Sequence, residues 1–313
     1  MLNIGIIGMS KGNGHPYSWS AIINGDYKAA LIDQAIQMYN YIGISQYLAA
    51  NRDTLGIDGA KVTHIWTQDR KISEHIAAAS MIDNVVDNLE DMIGKVDGVL
   101  LARDDPENHV AMARPFLDAD VPLFIDKPLA ITWEDLDYFS KQHAKGKFLM
   151  SCSSMRYSPG NQSARVQLDS VGKIELVVVV GKKDWRKYAI HYLEGMFSLL
   201  GDPKAVAVKH ITKSGKDIAY IEFENGILAT VHVFMDIAPG GELNVYGQKG
   251  NLQVVHGGAY TSFRSTLVEA IRSFEQGKSR LDFEKTRNVI STLIAGQESL
   301  DKGGKTILLK EHF

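Results

Sequence analysis

One cysteine, Cys152, is all that 313 residues hold, which excludes an intramolecular disulfide and any zinc site built from paired cysteines. A basic excess is lacking too. With 34 Lys and Arg against 37 Asp and Glu, the formal net charge is −3, without the electrostatic footprint of a nucleic-acid binder. No apolar run reaches the roughly 18 residues of a membrane-spanning helix. The opening Met1-Leu2-Asn3-Ile4-Gly5 has neither the basic segment nor the long apolar stretch of a secretory signal. No internal repeat is visible. What remains is ordinary globular composition, 45% apolar and 23% charged, with a length that suits two domains of roughly 150 residues. The expectation is a cytoplasmic protein with no nucleic-acid or membrane partner.

Short apolar runs alternate with helical patterns over the first half. Asn3–Gly8, Val62–Trp66, Val85-Val86, Gly98–Ala102, Pro122–Ile125 and Lys147–Cys152 read as strands. Tyr17–Asn24, Ile72–Ala79, Glu107–Leu117 and Trp133–Ala144 read as helices, the third kinked or split by Pro115. Continuous apolar strands separated by helices predict an α/β domain with a doubly wound parallel sheet over 1–153. Residues 26–60, with Tyr27, Tyr39, Tyr41 and Tyr47, interrupt this pattern as an extra segment holding one clear helical stretch at Ser45–Arg52. From 154 to 313 the pattern changes to an α+β domain with a mostly antiparallel, open-faced sheet. Its strands are Lys173–Gly181, Ala205–Ile211, Ile218–Phe223, Gly226–Phe234, Gly241–Tyr246 and Gly250–Val255, and Asn225-Gly226 reads as a two-residue hairpin turn. A helix is expected at His191–Leu200, and Phe263–Gln276 and Phe283–Asp301 close the chain. The strands Ile218–Phe223 and Gly226–Phe234 carry more apolar residues than one covered face requires. This predicts a homodimer or homotetramer through that sheet.

The first strand runs into Gly8-Met9-Ser10-Lys11-Gly12-Asn13-Gly14-His15-Pro16, and Pro16 suits the first turn of a helix. Strand, glycine turn and helix N-terminus together make an anion cradle. The spacing departs from G-x-G-x-x-G, because Ser10 stands where a second glycine belongs. Taken alone, the turn reads equally well as an ordinary strand-to-helix connection. Where the second strand of such a unit usually ends in a ribose-binding acid, this chain has Thr67, with Arg70 and Lys71 just beyond. A missing acid beside cations tilts the expectation slightly from NAD towards NADP.

Val121-Pro122-Leu123-Phe124-Ile125-Asp126-Lys127-Pro128 places a lysine between a buried strand and a proline, at the edge where open α/β sheets bind ligands. Asp126-Lys127-Pro128 resembles the Glu-Lys-Pro hallmark of the glucose–fructose oxidoreductase / inositol dehydrogenase / MocA-like (Gfo/Idh/MocA) family. Further stretches resemble it in order along nearly the whole chain: His109, Met155-Arg156-Tyr157, His191-Tyr192-Leu193-Glu194 before Leu199-Leu200-Gly201, Val245-Tyr246-Gly247 to Gly250, and Glu298-Ser299-Leu300 with Gly303. The departures are the altered glycine turn, Thr67, the segment 26–60, and Lys187 where the family often has an aspartate four residues before the helix histidine.

The resemblance implies an NAD(P)-dependent oxidoreductase that moves a hydride between a nicotinamide and a secondary alcohol or ketone of a sugar, cyclitol or sugar acid. It implies Lys127 and His191 as catalytic groups, the first a cation beside the developing alkoxide and the second the proton carrier. Cofactor contacts are expected from Gly8, Ser10, Gly12, Gly14, Thr67, Arg70, Ala102, Asp126 and Lys127. Substrate contacts are expected from Arg156, Asp184, Lys187 and His191. Cations at 127, 156 and 187 would favour an acidic substrate. No metal is implied. The alternatives are a glycoside-cleaving enzyme that recycles bound NAD and a non-catalytic nucleotide-binding regulator.

Overall fold

The computed structural model describes residues 1–39, 43–238 and 241–312, so Tyr41 lies outside the described residues. The chain forms two compact units. The first comprises Met1–Leu129, Asp137–Ser151 and Thr266–Phe283. The second comprises Ala130–Leu136, Cys152–Ser265 and the chain from Glu284 onward. The chain leaves the first unit near residue 151 but returns to it over Thr266–Phe283, a return that no composition change announces.

Up to residue 151 the elements are β1 (Leu2–Ile7), α1 (His15–Asn24), α2 (Ala29–Tyr39), α3 (Ile44–Ala50), β2 (Ala60–Trp66), α4 (Arg70–Ser80), β3 (Asn84–Val85), β4 (Gly98–Leu101), α5 (His109–Asp118), β5 (Leu123–Ile125), α6 (Trp133–Ala144) and β6 (Leu149–Ser151). All six strands are parallel, in the order β3-β2-β1-β4-β5-β6. The inner strands are apolar because both faces are covered: every residue of β4 and β5 is buried, as are Ile4, Ile6 and Ile7 of β1. The order reverses between β1 and β4, so the crevice for a ligand opens beyond the C-terminal ends of β1, β4 and β5. α5 continues through Pro115 to Asp118 rather than splitting, and a separate 3₁₀ turn, Pro106–Asn108, precedes it. Among its described residues the segment 26–60 holds two α-helices where the sequence pattern marks one. α2 packs on α3 and α4, burying Ile32, Ala35, Ile44 and Leu48.

The later elements are α7 (Pro159–Arg165), β7 (Ile174–Lys182), α8 (Trp185–Leu199), β8 (Ala205–Lys213), β9 (Lys216–Phe223), β10 (Leu228–Phe234), β11 (Glu242–Gly247), β12 (Gly250–Val254), α9 (Ala259–Glu275), α10 (Phe283–Asp301) and β13 (Ile307–Leu308). The second sheet runs β12-β11-β7-β10-β9-β8-β13, antiparallel except for the β7–β10 pair. One face is fully buried, with Val177, Val179, Ala219, Ile221, Ala229, Val231 and Val233, and α8 packs on β7 and β10. On β7, β9 and β10 the alternate residues of the other face, Leu176, Val178, Val180, Tyr220 and Phe234 among them, are half-buried.

The β9–β10 hairpin differs from its expectation. Gly226 donates to the carbonyl of Phe223 (3.0 Å) and takes φ +84°, and Phe223 pairs with Ile227 (3.1 Å). The loop is therefore the three residues Glu224–Gly226, with glycine at the left-handed position such loops require. α8 starts at Trp185, six residues before the expected His191, because Asp184 caps it: its carboxylate accepts from the Lys187 amide (2.9 Å).

Candidate active site

The glycine turn leaves β1 at the reversal point of the first sheet. A Cβ on Gly8 would lie 2.7 Å from Pro16 Cγ, so only glycine lets the turn fold back on the start of α1. Gly12 has φ +82° and nothing within 4 Å of a built Cβ, which leaves its backbone open to a ligand. Gly14 is the N-cap of α1 and gives no side-chain cap. The first amide of α1, on His15, is taken by Asn13 Oδ1 (2.8 Å), and the positive end of the helix dipole beside the open backbone at Gly12 suits a pyrophosphate. Ser10 is buried and its hydroxyl bonds Asp104 Oδ1 (2.5 Å) while accepting from the Asp104 amide (3.1 Å).

Asp126 and Lys127 follow β5 and are both buried. Asp126 Oδ1 accepts from the Lys127 amide (2.8 Å), and Oδ2 from Asn13 Nδ2 (3.1 Å) with His15 Nδ1 at 2.6 Å. The Lys127 ammonium lies 3.7 Å from Asp104 Oδ2. Ser10, Asp104 and Lys127 thus form one chain of polar contacts between the turn and the end of β5. Ala102, just beyond β4, is fully buried and donates its amide to Ile7 (2.8 Å). His109 is also fully buried, its ring nitrogens lying 2.9 Å from the Arg103 carbonyl and 3.1 Å from that of Leu129.

Two residues expected to touch the cofactor have protein partners. Thr67 is buried and its hydroxyl is committed within the β2–α4 turn, donating to the Asp69 carbonyl (2.7 Å) and meeting Ser73 Oγ (2.9 Å). Arg70 is held by Glu74 (2.9 Å) and by Asp87, so its charge is spent on carboxylates. The tilt towards a 2′-phosphate loses its physical basis. The residues that do fix the turn went unread in the sequence. Gln68 clamps Met9 on both sides, accepting from its amide (3.0 Å) and donating to its carbonyl (2.8 Å). Buried Arg103 donates to Gln68 (2.9 Å) and pairs with Asp105, which it holds below the usual carboxylate range against the upward push of burial.

In the second unit, His191 Nδ1 lies 2.6 Å from Ser153 Oγ, on the fully buried Ser153, and its ring contacts Tyr188. Three substrate expectations change. Arg156 is buried and bound to Glu194, and it lies 2.9 Å from Asp202, which also meets Lys285 at 3.1 Å. Its guanidinium is thus engaged by two carboxylates. Asp184 is the helix cap described above. Lys187 is exposed, and the Asp184 carboxylate takes its amide rather than its ammonium. The inventory of cations behind an acidic substrate is therefore reduced. Among the described residues no group of three His, Cys, Asp or Glu could hold a metal ion, and no helix is long and apolar enough to cross a membrane.

A buried lysine tied to a dinucleotide-type turn at the sheet reversal suits hydride chemistry, in which the nicotinamide carries the hydride and the protein fixes positions and moves protons. Such chemistry is that of oxidoreductases that work with a nicotinamide dinucleotide. Residues 39–151 match the oxidoreductase family with an NAD-binding Rossmann fold known as GFO_IDH_MocA. It is similar to inositol 2-dehydrogenase 1 of Saccharopolyspora erythraea, 26% identical over 262 residues that cover 70% of this chain and 77% of that one. Its fold is that of a probable dehydrogenase from Thermotoga maritima (TM-score 0.77, 14% identity, 100% of both chains). It is also that of the myo-inositol dehydrogenase from Lactobacillus casei in complex with NAD(H) and myo-inositol (TM-score 0.75, 16% identity, 98% and 96% covered). The comparisons name NAD and give the NADP tilt no support.

Proposed function

We propose that the protein oxidises a ring alcohol of a cyclitol or a related sugar with NAD, or runs the reverse reduction. The observation that carries this reading is Lys127, buried at the end of β5 with its ammonium 3.7 Å from Asp104 and its neighbour Asp126 fastened to the glycine turn. Gly8, Gly12 and Gly14 would hold the pyrophosphate, with Ser10 beside it, and the bound nicotinamide supplies the hydride acceptor. Lys127 stabilises negative charge as it develops on the alcohol oxygen. His191 takes the alcohol proton, with Ser153 fixing its ring through Nδ1 so that Nε2 does the transfer. A neutral substrate is preferred over an acidic one, because Arg156 is neutralised by its carboxylates and Lys187 stands in solvent. NAD is preferred over NADP, because Arg70 already has two acidic partners.

The test is a panel of inositols, neutral sugars and sugar acids with NAD and NADP, read by nicotinamide absorbance. Turnover of an inositol or neutral sugar with NAD, lost in both Lys127→Ala and His191→Ala, is expected. Turnover confined to sugar acids or to NADP, or full activity in either variant, overturns the reading.

A further inference from the structure

Dinucleotide binding accounts for the glycines of the turn but not for Asn13 and His15. Both side chains leave the turn and reach the same carboxylate oxygen, Oδ2 of Asp126, across more than a hundred residues of chain. That carboxylate is only 2% exposed, and its other oxygen accepts the Lys127 amide. A buried anion is costly unless its lone pairs are met, and here three donors meet them. His15 is itself anchored: it opens α1, its amide donates to Asn13 Oδ1 (2.8 Å), and its ring stacks on Trp19 at 4.5 Å and 15°. The Trp19 ring in turn rests edge-on against Phe124 of β5 at 5.7 Å. The imidazole is therefore wedged between the start of the helix that would receive the pyrophosphate and the strand that delivers Lys127.

We propose that His15 is a positioning residue for Lys127. By holding Asp126 Oδ2, with Asn13 as second donor, it fixes the Asp126–Lys127 peptide and keeps the carboxylate engaged. The adjacent ammonium is then left to Asp104 and to the reacting oxygen and ribose. The same contact ties the pyrophosphate turn to the lysine, so that cofactor held by the turn meets a lysine already in place. The inference rests on the reading of Lys127 given above. It adds that a histidine one residue past the glycines is part of the same machinery.

The experiment is a double-substitution cycle read in two ways. NADH is titrated calorimetrically into the wild type, His15→Ala, Lys127→Ala, the pair together and His15→Asn, whose amide keeps a donor near the Nδ1 position. The thermal midpoint of each checks folding, and kcat and KM are measured with the best substrate of the panel. If His15 acts through Lys127, each alanine variant weakens NADH about fivefold or more, and the double variant is no weaker than the worse single. His15→Asn then stays within about twofold of the wild type. In turnover, His15→Ala lowers kcat about tenfold while substrate KM changes less. Multiplying losses in the double variant, or His15→Ala within twofold of the wild type in both readouts, overturns the proposal. An unchanged Lys127→Ala overturns instead the reading beneath it. A purely structural histidine is marked by a lowered midpoint with no non-additivity in NADH binding, and that result also overturns the proposal.

Discussion

Replacing Arg156 with methionine tests how the second unit holds its buried charges. Arg156 is 5% exposed and meets two carboxylates, Glu194 and Asp202, whose side chains are 1% and 4% exposed. Burial pushes the Glu194 carboxyl up, and the guanidinium beside it only partly offsets this. Burial also works on Asp202, but Arg156 and Lys285 together hold that carboxyl below its usual range. Methionine fills similar volume and leaves one buried acid without a cation. Removing one partner of a buried pair costs about 3–5 kcal/mol. For a unit of this size that lowers the calorimetric midpoint by on the order of 10 °C. The sign with pH follows from the directions. Asp202, depressed in the fold, stabilises above its unfolded pKa and loses that contribution as pH falls. Glu194, raised in the fold, costs stability as pH climbs past its unfolded pKa. Without Arg156 the first effect shrinks and the second grows, so the variant's deficit is larger at pH 8 than at pH 5. Replacing Glu194 with methionine in the same chain removes the orphan charge and recovers much of the loss. A deficit under about 1 kcal/mol, or one larger at pH 5 than at pH 8, would refute the reasoning. A substrate contact at Arg156 would instead raise KM and leave the transition in place.

Gly181→Ala puts a Cβ 2.1 Å from the Tyr192 ring, whose hydroxyl is pinned by the Lys182 amide at 2.9 Å. Overpacking of this kind costs about 1–3 kcal/mol by chemical denaturation, and a variant as stable as the wild type would show that the ring can swing away. We also expect a homodimer or homotetramer through the half-buried face of the second sheet, since apolar faces of this kind mark interfaces. Light scattering should return a multiple of the 34.6 kDa chain that Val178→Glu disrupts; a wild-type monomer at micromolar concentration sinks the idea.

The parallel sheet was legible because strands covered on both faces must be apolar along their whole length, as β4 and β5 are. The end of β5 was legible for a similar reason: a lysine between a buried strand and a proline has few places to be. The segment 26–60 was harder, since its helices bury only a few residues each against α1 and α4 and carry a thin periodic signal. The start of α8 is marked by Asp184 three residues before Lys187, a cap signal weaker than the apolar pattern that begins at His191. The partners of Arg156, Thr67 and Arg70 are not legible, because a cation or hydroxyl shows nothing in the sequence of the groups that will occupy it. Glu194 lies 38 residues from Arg156. Gln68, Asn13 and His15 were missed for the converse reason: their partners come from distant parts of the chain, and no local pattern marks them.

The return of Thr266–Phe283 to the first unit bears on the order in which the molecule can be made. Phe274 packs against Gly98, where a Cβ would meet its ring at 2.8 Å, and lies 5.5 Å from the ring of Phe148. A ribosome that has finished Ser151 has therefore not finished the first unit. At about 5–20 residues per second, the missing piece follows roughly 6–23 s later. In that interval the parallel sheet exists without part of its cover, and its apolar surface is open to chaperones or to another nascent chain. Swapping a whole dinucleotide-binding unit into another protein by cutting at residue 151 would carry the same exposed surface with it permanently.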